Sequence, residues 1–591
     1  METSIENPEG IEDTDLFPVW NFLTQSDYNV SSSDPTQTSI DPMELETFPT
    51  SRDSSFSPIF HELTDHDQFF SVYAGGDGKG PVAAPLPNLD YHTPEGPVDE
   101  IQEILLHSAG LSALRPTYEM LGIEADVPAH SVPKHGPWKS LPANLELQLV
   151  QIYFETMHTL CPVLEELPFY QWYQVRDRKK NNNINPLSNL ILRVVLFSAF
   201  AHIDLDQLEK SPYSSVPEGQ KALFEQVHEL YNSLRDSRQG SVELAQCACI
   251  LSHWSPYDSS REVNYFWADE ALRHALLGGL HLSMRPYDRI IWWCSLQRNR
   301  TLTLALRRPH KLKQYRPGRL PTVGDFGNLS ALNPDVKHAR LYAAHLAISL
   351  CNLSVIMNEI VLLRHNSSRW DDWRDRGDDT GSMEPIIDRI VGIDRSLNEW
   401  TAAFERTVSK FDETRIHRRT RVSSHLLRMM VHGTRASMYE QYIEKMKGGS
   451  SLQWLLNNVA VNKLKDTSSA VVCEMRKLLD NSQPQDVPLN LAAWSMTPIY
   501  VFLAQVKSPN RIHSSGAAAS LEIMLRPFSP MVERFVGVRH TTGVIASIGK
   551  AYDKVIQGWD GTDHEALEVE LLILGRRILR EGLAFGVTVQ S

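Results

Sequence analysis

The sequence predicts an all-α protein, a large many-helix body behind a disordered acidic tail. Three observations lead there. Beyond residue 140, apolar residues recur at helical spacing through one segment after another. No stretch alternates with period two for long enough to propose a strand, and no fixed-period repeat appears. The 591 residues are 42% hydrophobic and 22% charged, enough to bury a sizeable core. The net charge of −14 is unevenly placed. Residues 1–78 hold 16 acidic residues against Arg52 alone, about −15, so the remainder stands at about +1. A body this close to neutral gives no electrostatic reason for strong nonspecific DNA binding.

Residues 1–100 are rich in Ser, Thr, Pro, Asp and Glu without sustained periodicity, which predicts disorder. Aromatics punctuate the acids, Phe17, Trp20, Phe22, Phe69 and Phe70 among them. Mutual repulsion of the carboxylates keeps such rings available to a partner's groove. Two readings stay open: an activation segment that engages the transcription machinery or a coactivator, and a solubilising tail. The first ten residues are acidic and lack an apolar stretch, so no secretory leader is expected there. Residues 101–140 read as a linker with a short helix and proline punctuation, and 141–591 as the body.

Within the body, 144–173 reads as an opening helix and the turn that follows it, and helical runs are expected at 190–202, 222–234, 242–253, 263–278, 290–306 and 339–363. A polar loop should follow 363, with further helices at 385–411, 423–446, 459–479, 490–505, 517–535, 544–556 and 564–581. The apolar run 491–506 contains Ser495, Thr497, Pro498 and Gln505, so it reads as a core helix, and no membrane partner is expected. Six scattered cysteines lie mostly in apolar helical patterns, which suits reduced, buried thiols of the nucleus or cytosol.

The body is organised around 263–309. Val263, Phe266, Trp267, Ala271, Ala275 and Gly278 share one helix face, and Gly278-Gly279 and Arg285-Pro286 break the helix. The run 290–306 is apolar nearly all round, as a helix buried inside a bundle should be. Arg307-Arg308-Pro309 ends it with cations at the C-terminus and a proline that cannot continue. Arg307, Arg308, Lys311 and Lys313 form a basic run, either a nuclear-import signal or a solvated loop around the helix end. His274 and His281, seven residues apart, share a helix face in this reading. Lacking a third ligand at metal spacing, they predict no metal site.

Trp267, the turn Ala275-Leu276-Leu277-Gly278-Gly279-Leu280-His281, Trp292-Trp293-Cys294, Arg298-Asn299-Arg300 and Arg307-Arg308-Pro309 together resemble the middle homology region of fungal-specific transcription factors. The spelling is most similar to the cutinase transcription factor subfamily, with the core motif at 241–320. Asn299 departs from the acid common at its place, and Leu282 from a basic residue. Tyr153-Phe154, Cys161-Pro162 and Phe169 match the family's opening helix, and His432, Arg435 and Tyr439 a late one. The resemblance implies a nuclear regulator of transcription by RNA polymerase II, with a helical regulatory domain that answers an effector. That effector is a small-molecule inducer, a dimer partner or a zinc-cluster partner. It also implies that Trp267, Leu280, Trp292, Trp293 and Pro309 are scaffold, with Arg298 and Arg300 as polar contacts inside it. Members of the family usually begin with a six-cysteine zinc cluster that reads DNA. Here no cysteine precedes Cys161, so no cofactor is expected in this chain. DNA is then reached through a partner or a missing module.

One enzymatic motif competes. Asp371, Asp372 and Asp375 spell DDxxD, which on a helix of a terpene synthase-like enzyme would hold Mg²⁺–diphosphate. Asn366, Ser367, Ser368 and Gly377 make the stretch read as a loop, and no second metal motif follows. There is no G-x-S-x-G, no H-E-x-x-H and no Cys/His nucleophile arrangement, so no enzyme is expected. The alternatives to the regulator are a DNA-free adaptor or decoy that titrates a zinc-cluster factor and, remotely, the diphosphate enzyme.

Overall fold

The computed structural model describes residues 139–178, 185–236, 240–254, 263–307, 318–327, 329, 334–374, 384–444, 451–508 and 511–585. Among them every regular element is a helix. Phe17, Trp20, Phe22, Phe69, Phe70, Arg308, Pro309, Lys311, Lys313 and Asp375 lie outside the described residues, as does nearly all of the expected linker.

The first half of the body comprises α1 (Ala143–Glu155), α2 (Met157–Leu160), α3 (Glu166–Arg178), α4 (Pro186–Phe200), α5 (Leu205–Glu209), α6 (Val216–Asp236), α7 (Ser241–Leu251), α8 (Val263–Leu277) and α9 (Pro286–Ala305). Their starts follow local chemistry. Asn185 caps α4 by accepting from the Leu187 N–H, with Pro186 at the first helical position. Asp204 and Gln207 satisfy each other's backbone in a capping box at α5. The second half comprises α10 (Pro334–Arg374), α11 (Glu384–Val408), α12 (Arg418–Tyr439), α13 (Ser451–Asn481), α14 (Asn490–Lys507), α15 (Arg511–Leu525), α16 (Phe528–Val532), α17 (Val536–Gln557) and α18 (His564–Phe585).

Among the described residues, buried side chains gather into a small cluster of Tyr265, Ala268 and Leu302 and into two large cores. One holds Tyr153, Phe154, Phe197, Phe200, Trp267 and Trp293. The other holds Leu353, Met357, Leu426, Met430, Tyr500 and Leu571. Helix α9 belongs to both, feeding Ile290 to Leu296 into the first and Leu304 and Ala305 into the second. It is therefore a strut between them, which explains why it is buried from Ile290 through Ala305. Helices α12 and α14 approach closely at Gly433, where a Cβ would stand 2.4 Å from the Trp494 ring. The stretch Val336–Arg364 of α10 is long and apolar enough to cross a membrane by composition. Its Leu346, Leu350, Leu353, Met357 and Ile360 are spent on the second core. Five cysteines are buried, Cys161 in hydrogen-bond contact with the thiols of Cys249 and Cys294, while Cys473 is exposed.

Three expectations need correction. The loop expected after 363 is helix as far as Arg374, so Asp371 and Asp372 are helical. Asn366, Ser367 and Ser368 cost a helix only a few tenths of a kcal/mol each, and neither Gly nor Pro interrupts. The single helix expected at 517–535 is two, α15 and α16, because Pro527 cannot supply the next intrahelical N–H. His281 does not share a helix with His274, since α8 ends at Leu277.

Candidate functional site

The ending of α8 sets the geometry of the motif. Gly279 adopts φ +66°, its N–H donates to the Leu276 carbonyl at 2.9 Å, and the Leu280 N–H donates to the Ala275 carbonyl at 2.9 Å. This is the Schellman pattern, in which a left-handed glycine follows the helix and the next apolar side chain turns back onto it. Leu280 is accordingly buried in the first core, and the His281 ring lies 5.7 Å from that of Trp292. Trp267 stands edge-on to Tyr231 at 5.0 Å. From α9, the Trp293 indole N–H donates to the Arg319 carbonyl at 2.8 Å, which pins the chain beyond the basic run.

The Arg298-Asn299-Arg300 triplet is buried, and its three side chains fan out to different elements. Arg298 donates to the Ser252 hydroxyl at 3.0 Å and carbonyl at 2.6 Å, closing the end of α7. Burial pulls its guanidinium down to about 10. Asn299 donates to Asp269 of α8 at 3.3 Å. Arg300 donates to the Ser354 carbonyl of α10 at 3.3 Å and lies 5.9 Å above the Trp293 ring. Each contact orients α9 against a different neighbour.

Arg307 goes further. It is the described non-glycine residue with positive φ, at 54°. Its guanidinium is only 6% exposed and grips Glu440 with both arms, at 3.1 and 2.8 Å, while also donating to Thr497 at 2.7 Å. Glu440, 3% exposed, also receives Arg364 from α10 at 3.0 Å, and Arg576 of α18 donates to its carbonyl. Burial raises the Glu440 carboxyl, but Arg307 and Arg364 outweigh it and hold the group below the ordinary carboxylate range. Arg307 is thus withdrawn from the basic run, which keeps Arg308, Lys311 and Lys313.

A second junction, of Arg418 and Arg419 with Asp486, was not legible in the sequence, since the partners lie 68 and 67 positions apart. Asp486 receives Arg418 at 2.7 Å and Arg419 at 3.0 Å. Arg419 also reaches Glu155 at 3.2 Å and the His202 carbonyl at 3.3 Å, and the His202 ring bonds the Gln485 carbonyl at 2.8 Å. Burial brings His202 down to about 4, so the ring is neutral. One signal was available: two cations at the N-terminus of α12 oppose the helix dipole and call for a carboxylate nearby.

Between this junction and the two cores lies a cavity of about 50 Å³, walled by Phe197, Ser198, Ile250, His253, Trp254 and Leu426 among others. The motif residues Trp267, Ala275, Gly279, Leu280, Trp292, Trp293, Arg298, Arg300 and Arg307 do not line it. Among the described residues, no group of three His, Cys, Asp or Glu could hold a metal ion.

No family model matches the chain. Among curated proteins, 178 residues, 29% of this chain, are 25% identical to cutinase transcription factor 1 beta of Fusarium vanettenii, covering 20% of that protein. A protein named transcription factor from Fusarium pseudograminearum (strain CS3096) is 24% identical over 217 residues, 35% of this chain and 23% of its own. Cutinase transcription factor 1 alpha of Fusarium vanettenii is 26% identical over 280 residues, 44% of this chain and 29% of its own. The chain therefore spans less than a third of the length of these relatives. Motif and comparisons agree on one relationship: this chain is a distant homologue of fungal transcription factors, similar at 24–26% identity to proteins named cutinase transcription factor and transcription factor.

Proposed function

We propose that the chain is a nuclear regulator of RNA polymerase II transcription whose helical body sets its activity. The observation that carries the reading is a pair of polar junctions: Arg419 with Asp486 and Glu155 joins the two halves, and Glu440 ties the end of α9 to α10 and α18 of the second. A carboxylate such as Glu440, shared by Arg307 and Arg364 from two different segments, is fully paired in one arrangement of them and half-paired in any other. Such an element has discrete alternatives, and anything that binds one of them better shifts the population. The relatives' names supply the process, transcription.

In this reading the acidic tail, with Phe17, Trp20, Phe22, Phe69 and Phe70, engages the transcription machinery or a coactivator. DNA is reached through a partner or a module beyond the described residues. Arg308, Lys311 and Lys313 direct nuclear import, and the input is a small-molecule inducer, a second copy or a zinc-cluster partner. Asp371, Asp372 and Asp375 have no catalytic part.

Chromatin occupancy of the tagged full chain in its own host tests the reading. Discrete promoter peaks support it, and the sequence beneath them identifies the partner that reads DNA. A cytosolic protein with no peaks refutes it.

A further inference from the structure

Charge does not balance around Glu440. Arg307 and Arg364 reach its carboxylate at 2.8 and 3.0 Å, and Arg576 donates to its carbonyl. Arg580 stands one turn beyond Arg576 on the same face of α18. Glu440 is thus one carboxylate among four guanidiniums. Burial presses the Arg364 guanidinium down; Glu440 opposes this, while Arg307, Arg576 and Arg580 add to it. The carbonyl end of α12, which Arg364 and Arg576 cap at Ser437 and Glu440, contributes about half a negative charge. Four positive charges therefore face about one and a half negative ones, a surplus of about two and a half.

Other carboxylates on these helices are engaged or turned away. Glu359 of α10 pairs with Arg389, and Glu568 of α18 with Lys465. Glu581 is exposed, about 100° round α18 from Arg580. Arg580 is exposed too, and forms no hydrogen bond or ion pair with any described residue. Arg576 is half-buried and commits one nitrogen to the Glu440 carbonyl. Each guanidinium carries five N–H donors in a rigid fork, so the two side chains together present donors to solvent from neighbouring turns. Like charges gathered at a half-buried site are screened poorly by salt. A bound oxyanion relieves their repulsion directly. A monoanion would leave most of the surplus standing, whereas a phosphate dianion removes most of it and offers three acceptor oxygens to the forks.

We infer that Arg576 and Arg580, backed by Arg364, form a surface site for a phosphate dianion, free or carried by a small phosphorylated molecule. The dianion bridges the two guanidiniums of α18, and Arg364, its side chain 21% exposed, adds its charge from beneath. Occupancy reduces the repulsion among arginines that share Glu440, so it tightens the contact of α18 with α10 and with the end of α9, and gives the junction an input. That last step rests on the regulatory reading; the binding itself does not.

The test is isothermal titration calorimetry of the full chain with inorganic phosphate and with glycerol 2-phosphate, at about pH 8, where both are dianions. Acetate is the control, and sodium chloride holds the ionic strength constant. Saturable one-site binding of phosphate is expected, with acetate at least about tenfold weaker, as its single charge implies. Binding of the ester as well extends the site to phosphorylated small molecules, and its exclusion assigns the site to free phosphate. Arg580→Gln should weaken phosphate about tenfold, the low end for a hydrogen bond between charged groups. Its exposed position leaves the fold intact, which the thermal transition checks. Lys210→Gln removes the same charge from an exposed position in the first half and should change nothing. No saturable binding of either phosphate means that solvent ions or the chain's own acidic tail meet the surplus, and overturns the inference. Undiminished affinity in Arg580→Gln, an equal loss in Lys210→Gln, or acetate as tight as phosphate overturns it too. A promoter-bound chain that takes no phosphate loses this site alone. A chain that takes phosphate but occupies no chromatin keeps the site and loses the regulatory reading.

Discussion

Glu440→Gln changes one atom's charge and leaves the shape. It removes the charge that pairs Arg307, 6% exposed, and Arg364, 21% exposed. Breaking a buried pair from one side costs about 3–5 kcal/mol, because the guanidinium stays behind without its carboxylate. Unfolding entropy of about 2.1 cal/mol/K per residue, over the roughly 450 residues of the body, makes each kcal/mol worth about 1 °C, so the melting midpoint should fall by about 3–5 °C at pH 7. The pH dependence carries a sign. The folded carboxyl titrates below its ordinary 4.5, so its contribution is full above 4.5 and fades as pH falls through the lower folded value. Thermal unfolding of both proteins at pH 7 and at progressively acidic pH therefore shows a gap that closes in acid. Adding Arg307→Met should recover part of the loss, since it removes the enclosed guanidinium that the glutamine leaves without a counter-charge, while Arg364 is 21% exposed. A midpoint shift under 1 °C at pH 7, or a gap that widens in acid, would refute the argument.

Asp486→Asn should destabilise by about 2–4 kcal/mol, less than loss of a fully enclosed pair because Arg418 is a third exposed; denaturant titration measures it. Burial raises the Asp486 carboxyl, but its bonds from Arg418 and the Gln483 N–H more than offset this, so its penalty should also shrink in acid. Gly433→Ala drives a methyl into the Trp494 ring and should cost about 1–3 kcal/mol, visible as a lower midpoint and altered tryptophan fluorescence. Replacing Lys311 and Lys313 together by Ala should lower the nuclear fraction of the tagged chain without moving its melting midpoint, and imaging reads it directly.

The helices were legible where their signals are local. Apolar spacing located α8 and α9, and glycine marked the end of α8, because these signals act within a few residues; Pro286, read as a break, is the first residue of α9, ahead of the expected start at 290. The misreadings have the same origin. Asn and Ser after 363 weaken a helix without breaking it, so composition suggested a loop where α10 continues. The partners of Arg307 lie 133 and 190 positions away, and no periodicity connects them. Read as sequence, Arg307 and Arg419 are basic residues at segment ends. Only the packing of distant helices turns them inward, and the cavity arises from that same packing. The positive φ at Arg307, the one such non-glycine residue among those described, is likewise invisible until its carboxylate is found.

The distribution of thiols has a practical consequence. Of six cysteines, five are buried and only Cys473 meets solvent. Burial pushes the Cys247, Cys294 and Cys351 thiols well above their usual range, and the unreactive thiol form dominates at neutral pH. A maleimide dye should therefore mark the native protein once, on α13, and give a single-site fluorescent handle without any engineering. The five remaining thiols then act as a clock: Cys161, Cys247, Cys249, Cys294 and Cys351 all sit in the first core, so the rate at which they become reactive times the opening of that half of the molecule separately from the other.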